Sequence, residues 1–114
     1  MNGVQELQEA DFQRAVLESN MPVMVDFYAT WCGPCRALAP TLEVMAKTYE
    51  GRVKIIKVNV DEAPALAQQY GIRGVPTLIF FLGGCPVDTF VGMASARVLQ
   101  QKLDAIAEAS VPVA

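Results

Sequence analysis

The sequence predicts an α/β protein in which a central mixed β-sheet of four to five strands is flanked by four α-helices. Apolar runs rich in β-branched residues alternate along the chain with segments whose apolar residues recur every three or four positions. This alternation is typical of a sheet that is covered on both faces. Gly83-Gly84 separates the last two predicted strands. It favours a tight antiparallel hairpin, which makes the sheet mixed.

The strands are predicted from short apolar runs. The run Val23 to Ala29 is the most apolar, and we place it at the centre of the sheet. Three further runs predict strands at Val53 to Val60, Thr77 to Leu82 and Val87 to Val91, and Val4 to Leu7 is a candidate short first strand.

The helices are predicted from apolar periodicity and from end signals. An early helix is predicted to open at Asp11, and a second covers Arg36 to Glu50. Ala63 to Tyr70 forms a shorter helix closed by a glycine. The last helix has Ser95 as its N-cap, and residues 110–114 beyond it are expected to fray.

Composition restricts the size and the class of the protein. A length of 114 residues with 53% hydrophobic content fits one domain spanning residues 1–114. A net charge of −3 without a basic cluster argues against nucleic-acid binding. Apolar runs stay far below the ~20 residues of a membrane span, and the first residues lack the pattern of a secretory signal. We therefore expect a cytoplasmic protein that binds neither nucleic acid nor a membrane.

The strongest chemical signal is Trp31-Cys32-Gly33-Pro34-Cys35, which lies between the central strand and the long helix. Two cysteines three positions apart on a first helical turn lie on one face and can form a disulfide. In the chain-entropy model, a disulfide that closes a four-residue loop stabilises the fold by about 2 kcal/mol, whereas one that closes a loop of fifty residues stabilises it by about 4 kcal/mol. A bond that stabilises so little is better suited to reversible electron exchange.

The positions of the two cysteines predict their roles. Cys32 lies at or just before the helix start, where free backbone N–H groups and the helix dipole favour a thiolate. We expect Cys32 to attack a substrate disulfide. Cys35, which is predicted to be more buried inside the helix, would then resolve the mixed disulfide.

The alternative use of these cysteines is half of a zinc site. Zinc usually needs four ligands, but the sequence has three cysteines and no histidine, so we expect no metal. The absence of histidine also excludes Ser-His and Cys-His catalysis. Cys85, the third cysteine, is predicted at the far end of the sheet from the motif. It is either a free turn cysteine or an exposed site for an intermolecular disulfide or glutathione adduct.

Asp26 is the single charge in the apolar run 21–29. A carboxylate in a central strand costs several kcal/mol unless it is paired or protonated, and burial raises its pKa. Asp26 is therefore either a proton acceptor for Cys35 or the partner of Lys57 in an ion pair. The two roles are compatible, because a buried Asp–Lys pair can relay protons. We favour a functional role for Asp26.

These residues give the chain a close resemblance to the thioredoxin family. Trp31-Cys32-Gly33-Pro34-Cys35 and the later Gly74-Val75-Pro76-Thr77 carry the resemblance, and further matches span most of the chain in the family's order. The resemblance implies a thioredoxin fold and a small redox protein with protein-disulfide reductase activity. It also implies that Pro76 is cis and faces the cysteine pair, and that the backbone at Val75 binds an extended substrate segment.

The resemblance also implies partners. Disulfide-containing substrate proteins would dock on an apolar surface, and a thioredoxin reductase that carries FAD and draws on NADPH would re-reduce the cysteines. The chain itself would need no bound cofactor and would be a monomer, with an oxidised dimer through Cys85 left open. The implied docking residues are Trp31, Gly33, Pro34, Gly74, Val75, Pro76, Gly92 and Met93.

Two departures from the family's pattern concern aromatic and apolar side chains. Tyr28 stands where many members carry tryptophan, and Met93 stands where a small residue is commoner. Met93 either enlarges the docking surface or packs in its own loop, and a flexible thioether suits varied partners.

Two other functions remain open at this stage. A thiol oxidant or isomerase is disfavoured by the Gly-Pro pair between the cysteines, by the lone Asp26 and by the missing signal. An interaction module, such as an assembly or processivity subunit, would use the apolar surface alone. Cys32→Ser and Cys35→Ser discriminate between a redox role and such a module: if cellular function survives both substitutions, redox chemistry is not the main role.

Overall fold

A computed structural model describes residues 3–110 and contains one five-stranded sheet. The strands lie in the order β1-β3-β2-β4-β5, in which β1, β3 and β2 are parallel and β4 and β5 are antiparallel. The predicted mixed sheet and the central place of β2 are therefore confirmed. The strand bounds are β1 Gln5–Glu6, β2 Val23–Tyr28, β3 Lys54–Asn59, β4 Thr77–Leu82 and β5 Cys85–Val91.

Four helical segments flank the sheet, as predicted. The N-terminal helical segment is a 3₁₀ turn at Glu9–Asp11 followed by a π-helical turn at Gln13–Leu17, so it starts earlier than predicted and is not a regular α-helix. The others are α1 Gly33–Thr48, α2 Pro64–Gln69 and α3 Ala96–Ala109. Ser110 caps α3, and the remaining residues for which fraying was expected lie outside the described part of the chain. Within residues 3–110, no helix combines the length and apolarity that crossing a membrane requires.

The sheet has an apolar layer on each face, because successive side chains of a strand point to opposite sides. In β2, Met24 packs towards α1 and α3, whereas Val25 and Phe27 pack towards α2 and the N-terminal helical segment. Asp26 and Tyr28 lie two and four positions after Met24, so their side chains point to the same face of the sheet as that of Met24. The alternation therefore directs the buried charge of the central strand towards α1.

The last strand starts two residues before the predicted Val87. Pro86 lowers the strand signal because it cannot donate to a ladder, but β5 is an edge strand and tolerates it. Gly83 and Gly84, with φ of 61° and 82°, form the predicted tight turn. Cys85 consequently lies in strand β5 and not in the turn. It is a free cysteine and it is exposed.

Four chain segments meet at one edge of the sheet. The parallel strands β2 and β3 end there, since Tyr28 is the register partner of Asn59. Thr77, the first residue of β4, pairs with Phe27 and with Val91, the last residue of β5. The loops after β2, β3 and β5 and the loop before β4 therefore lie close together. Cys85, at the opposite end of β5, is remote from them, as predicted.

Candidate active site

The cysteine pair forms the first turn of α1. Cys32 is the N-cap, with extended backbone, and its Sγ accepts a hydrogen bond from the backbone N–H of Cys35 at 3.1 Å. The Cα atoms are 5.3 Å apart, and the two residues are joined by a disulfide. Pro34 lies in the first turn, where its missing N–H costs no helical hydrogen bond. The predicted place of Cys32 at the helix start is therefore confirmed.

Both cysteines are nearly inaccessible. Cys32 is 4% exposed and Cys35 is 5% exposed, so the prediction that Cys35 is the more buried of the two is wrong. The reason is that a neighbouring loop covers Cys32, whose Sγ lies 3.6 Å from the carbonyl oxygen of Val75. The difference between the two sulfurs lies in their position on the helix and not in their burial.

The covering loop contains the cis peptide bond Val75–Pro76, which confirms what the resemblance implied. The hydroxyl of Thr77 donates to the carbonyl of Gly74 at 2.6 Å and closes the loop on itself. The N–H of Gly92 donates to the carbonyl of Pro76 at 2.8 Å. These two hydrogen bonds hold the loop before β4 against the turn after β5.

Exposed apolar side chains surround the disulfide. Trp31 is 68% exposed and Met93 is 51% exposed, and exposed apolar side chains that lie together mark interaction sites. A groove of about 280 Å³ lies between Trp31 and the Gly74-Val75 backbone. The structure thus brings Trp31, Gly74 and Val75 to one groove. Gly33 and Pro34 are exposed at the start of α1 beside it.

Sequence reasoning missed several residues of this surface. The indole N–H of Trp31 donates to Asp61 at 2.9 Å, which fixes the plane of the ring. Val60 and Ile72 line the groove, and Val91 is 65% exposed next to Gly92. The position of Asp61 just after β3 was an available signal, because parallel β2 and β3 end at the same edge.

Asp26 lies behind the disulfide. It is 3% exposed, and its Oδ1 has no hydrogen-bond partner among the described residues. Burial raises the pKa of Asp26 from 3.8 to about 7, and the nearby positive charge of Lys57 opposes that rise. A cavity of about 310 Å³ is lined by Asp26, Cys35 and Lys57. The geometry gives Cys35 and a carboxyl group of near-neutral pKa access to one common space.

Lys57 faces Asp26 without contacting it. The two residues are register partners on β3 and β2. Within residues 3–110, however, their charged atoms do not approach within ion-pair distance of 4.0 Å. The ammonium of Lys57 lies instead 5.4 Å from the ring centroid of Tyr28. The alternative of a direct Asp26–Lys57 ion pair is therefore wrong, and the interaction between them acts through space.

A disulfide at a helix N-terminus, a cis-proline loop against it and a buried carboxyl group behind it define a thiol–disulfide redox protein. Residues 3–110 contain no group of three or more His, Cys, Asp or Glu side chains placed to hold a metal ion. The model of the family described as Thioredoxin matches residues 3–105. The chain belongs to the thioredoxin family.

Relatives agree with the family assignment. "Thioredoxin 1" of Nostoc sp. is 47% identical over 104 residues, which cover 91% of this chain and 97% of that protein. "Thioredoxin 1" of Synechococcus elongatus is 51% identical over 96 residues, covering 84% and 90%. "Thioredoxin M-type, chloroplastic" of Spinacia oleracea is 42% identical over 101 residues, covering 89% of this chain and 56% of that protein. The protein is accordingly a disulfide reductase whose redox-active group is the Cys32–Cys35 pair, and its family implies a reductase and substrate proteins as partners.

Proposed function

We propose that Cys32 is the nucleophile and Cys35 the resolving thiol in the reduction of protein disulfides. The observation that carries this assignment is the hydrogen bond from the N–H of Cys35 to Cys32 Sγ at the N-cap of α1. In the reduced protein, this N–H and the positive end of the helix dipole would stabilise a thiolate on Cys32. Within residues 3–110, the Sγ of Cys35 accepts no comparable hydrogen bond from a backbone N–H.

The reaction then has two balanced exchange steps. The Cys32 thiolate attacks one sulfur of the substrate disulfide, forms a mixed disulfide and releases the other substrate sulfur as a thiolate, which takes a proton from solvent. Cys35 loses its proton and attacks Cys32 Sγ. This step releases the second substrate sulfur and leaves the Cys32–Cys35 disulfide. Two electrons pass from the protein to the substrate.

Asp26, assisted by Lys57, is the proposed proton acceptor for Cys35. Support comes from the cavity that Asp26, Cys35 and Lys57 line together, which gives room for transfer directly or through water. A carboxyl group with a pKa of about 7 accepts and returns a proton near neutral pH. A carboxylate with the usual pKa of aspartate would hold that proton poorly.

The proposed docking surface is the apolar rim around the disulfide. An extended substrate segment would lie across the Val75–Pro76 loop and hydrogen-bond the backbone at Val75. Exposed Trp31 and Met93 would contact its side chains on either side. The full set, proposed as substrate-binding, is Trp31, Gly33, Pro34, Gly74, Val75, Pro76, Gly92 and Met93.

The remaining proposals concern the setting of the protein. Residues 1–114 would act as one thioredoxin domain, supported by a family match that spans residues 3–105. The electron donor would be a thioredoxin reductase, which supplies FAD and NADPH chemistry from its own chain. We place the protein in the cytoplasm as a monomer, with oxidative dimerisation through exposed Cys85.

Insulin disulfide reduction, driven by NADPH and thioredoxin reductase, tests the function. Cys32→Ser is expected to abolish turnover, and Cys85→Ser is the matched control that should retain it. Cys35→Ser should trap a mixed disulfide, visible by mass spectrometry as an adduct on Cys32. An adduct on Cys35 in Cys32→Ser, with none on Cys32 in Cys35→Ser, would reverse the assignment. On a non-reducing gel, a Cys85→Ser protein that still forms an oxidised dimer would exclude dimerisation through Cys85.

The same assay separates the other candidate functions. No insulin turnover, even when dithiothreitol replaces the reductase, would contradict the reductant role and favour an interaction module. Turnover with dithiothreitol alone would retain the chemistry and reject this choice of reductase. A Cys32 thiol of very low pKa in the reduced protein would favour an oxidant, because stabilising the reduced form raises the reduction potential.

A further inference from the structure

Tyr28 links three strands on the α1 side of the sheet. Its hydroxyl donates to Glu6 Oε2 at 2.5 Å, and its ring faces the ammonium of Lys57 at 5.4 Å. Glu6 is the register partner of Lys57, and Lys57 is the register partner of Asp26. Because register partners in parallel strands project to the same face, Glu6, Lys57 and Asp26 form a row across the sheet, and Tyr28 lies along it.

The row places one cation between two carboxyl groups. Adjacent strands are about 4.8 Å apart, so the backbone positions of Glu6 and Asp26 lie on opposite sides of Lys57 at roughly equal separation. In the described structure Lys57 makes an ion pair with neither. The hydrogen bond from Tyr28 occupies Glu6 and leaves the charge of Lys57 available to Asp26.

The other charged groups around Asp26 have partners elsewhere. On α1, the guanidinium of Arg36 donates to the carbonyl of Thr30 at 2.7 Å, and Glu43 accepts the N–H of Val4 at 3.2 Å. Cys35 is held in the disulfide until it is reduced. From the remaining neighbours, β4 presents apolar Leu78 to Asp26, and Glu62 after β3 lies near Tyr28. Among these groups, Lys57 is a cation that lines the cavity of Asp26 and Cys35 and makes no ion pair within residues 3–110.

We infer that Tyr28 is a positioning residue for the reaction: by holding Glu6, it keeps Lys57 directed at Asp26 and so sets how readily Asp26 takes the proton of Cys35. The inference rests on the proposed role of Asp26. In Tyr28→Phe the carboxylate of Glu6 is released and pairs with Lys57. Asp26 then loses its opposite charge, and its charged form becomes less favourable. Burial and the Glu6 carboxylate raise the pKa of Tyr28 itself well above its usual value, so the hydroxyl remains a donor at physiological pH.

The test is an NMR titration of the Asp26 carboxyl carbon in the oxidised protein. Tyr28→Phe is expected to raise the midpoint by about half a pH unit, the effect of one partly screened charge at this range. Glu6→Gln is expected to lower it slightly, because the negative charge of Glu6 then no longer opposes the charged form of Asp26. In the Glu6→Gln background, Tyr28→Phe should have no further effect. Glu9→Gln, which removes another exposed carboxylate of the N-terminal region, is the matched control and should leave the midpoint unchanged.

Two results would overturn the inference. Tyr28→Phe could leave the midpoint unchanged, or it could shift the midpoint equally with and without Glu6; in either case Tyr28 does not act through Glu6. The proposed role of Asp26 is tested separately, by the rate at which Cys35 resolves the mixed disulfide in Asp26→Asn. A rate equal to the wild-type rate would reject that role, while the titration would still decide whether Tyr28 controls the charge around Asp26.

Discussion

Replacing Asp26 with asparagine should stabilise the protein against unfolding in a strongly pH-dependent way. Asp26 lies in the central strand with 3% of its surface exposed and with an unpartnered Oδ1. Such a group is tolerated in its neutral form and penalised in its charged form. Asparagine has nearly the same shape and carries no charge at any pH, so it removes the pH-dependent part of the penalty.

The magnitude follows from the rise in the pKa of Asp26 from 3.8 to about 7. Below about pH 4 the folded and unfolded chains both hold the proton, and no penalty exists. Between pH 4 and pH 7 the unfolded chain releases the proton while the folded chain retains it, so stability falls as the pH rises. Above pH 7 the loss is complete, and at about 1.4 kcal/mol per pH unit it amounts to roughly 4 kcal/mol.

Urea unfolding of the oxidised protein between pH 4 and pH 9 measures this loss. The free energy of unfolding of Asp26→Asn minus that of the wild type should increase by roughly 4 kcal/mol from pH 4 to pH 8 and then level off. A Cys85→Ser background avoids disulfide exchange at high pH. Asp11→Asn, at an exposed position, is the control and should show no such increase.

The side-chain amide that Asp26→Asn introduces is unsatisfied and costs about 1–3 kcal/mol at every pH. This cost is a constant offset between the two proteins. The test is therefore the change of the stability difference with pH, and not its absolute size. A difference that stays constant from pH 4 to pH 8 would refute the reasoning. In that case Asp26 is solvated or paired in the folded protein, and its carboxyl group would not retain a proton near neutral pH.

Two further predictions concern the free energy of unfolding, and urea unfolding measures both. Gly84→Ala should lower it by about 1–3 kcal/mol more than Gly83→Ala does. Both glycines have positive φ, but a Cβ at residue 84 would lie 2.5 Å from the carbonyl oxygen of Leu17. Equal losses of stability in the two variants would contradict this. Tyr49→Phe should lower the free energy of unfolding by about 1.5 kcal/mol, because the hydroxyl of buried Tyr49 donates to Asp104 at 2.6 Å and joins α1 to α3. An unchanged unfolding midpoint would show that this hydrogen bond contributes nothing.

The elements of the fold were predictable because their signals are local. Apolar periodicity located β2, β3, β4 and three helices within a few residues. Cap residues acted as expected: the hydroxyl of Ser95 accepts the N–H of Val98 at 3.2 Å, and Gly71 has a φ of 66° after α2. The cysteine pair was predicted at a helix start for the same reason, since the motif lies between a strand and a helix in sequence.

The rest of the site depends on contacts between distant parts of the chain. Trp31 and Asp61 are 30 positions apart, and Tyr28 and Glu6 are 22 apart. Both contacts exist only because β1, β3 and β2 pair in one particular register. The burial of Cys32 likewise comes from a loop more than 40 residues later. The cis bond before Pro76 followed from the family resemblance and not from the residues themselves.

Three departures of this sequence from ordinary folding preferences lie close together, around the disulfide. A charge is buried in the central strand, a tryptophan is left exposed, and a cysteine occupies an N-cap where serine or aspartate would serve better. Each of these features lowers stability or solubility. The buried Asp26 alone costs roughly 4 kcal/mol above pH 7, out of the 5–15 kcal/mol that stabilise a typical domain. Trp31 and Cys32 lie at the edge of the sheet where β2 and β3 end, and Asp26 lies within β2 and lines a cavity together with Cys35. Costly choices that gather around one group, here the disulfide, are typical of a functional site.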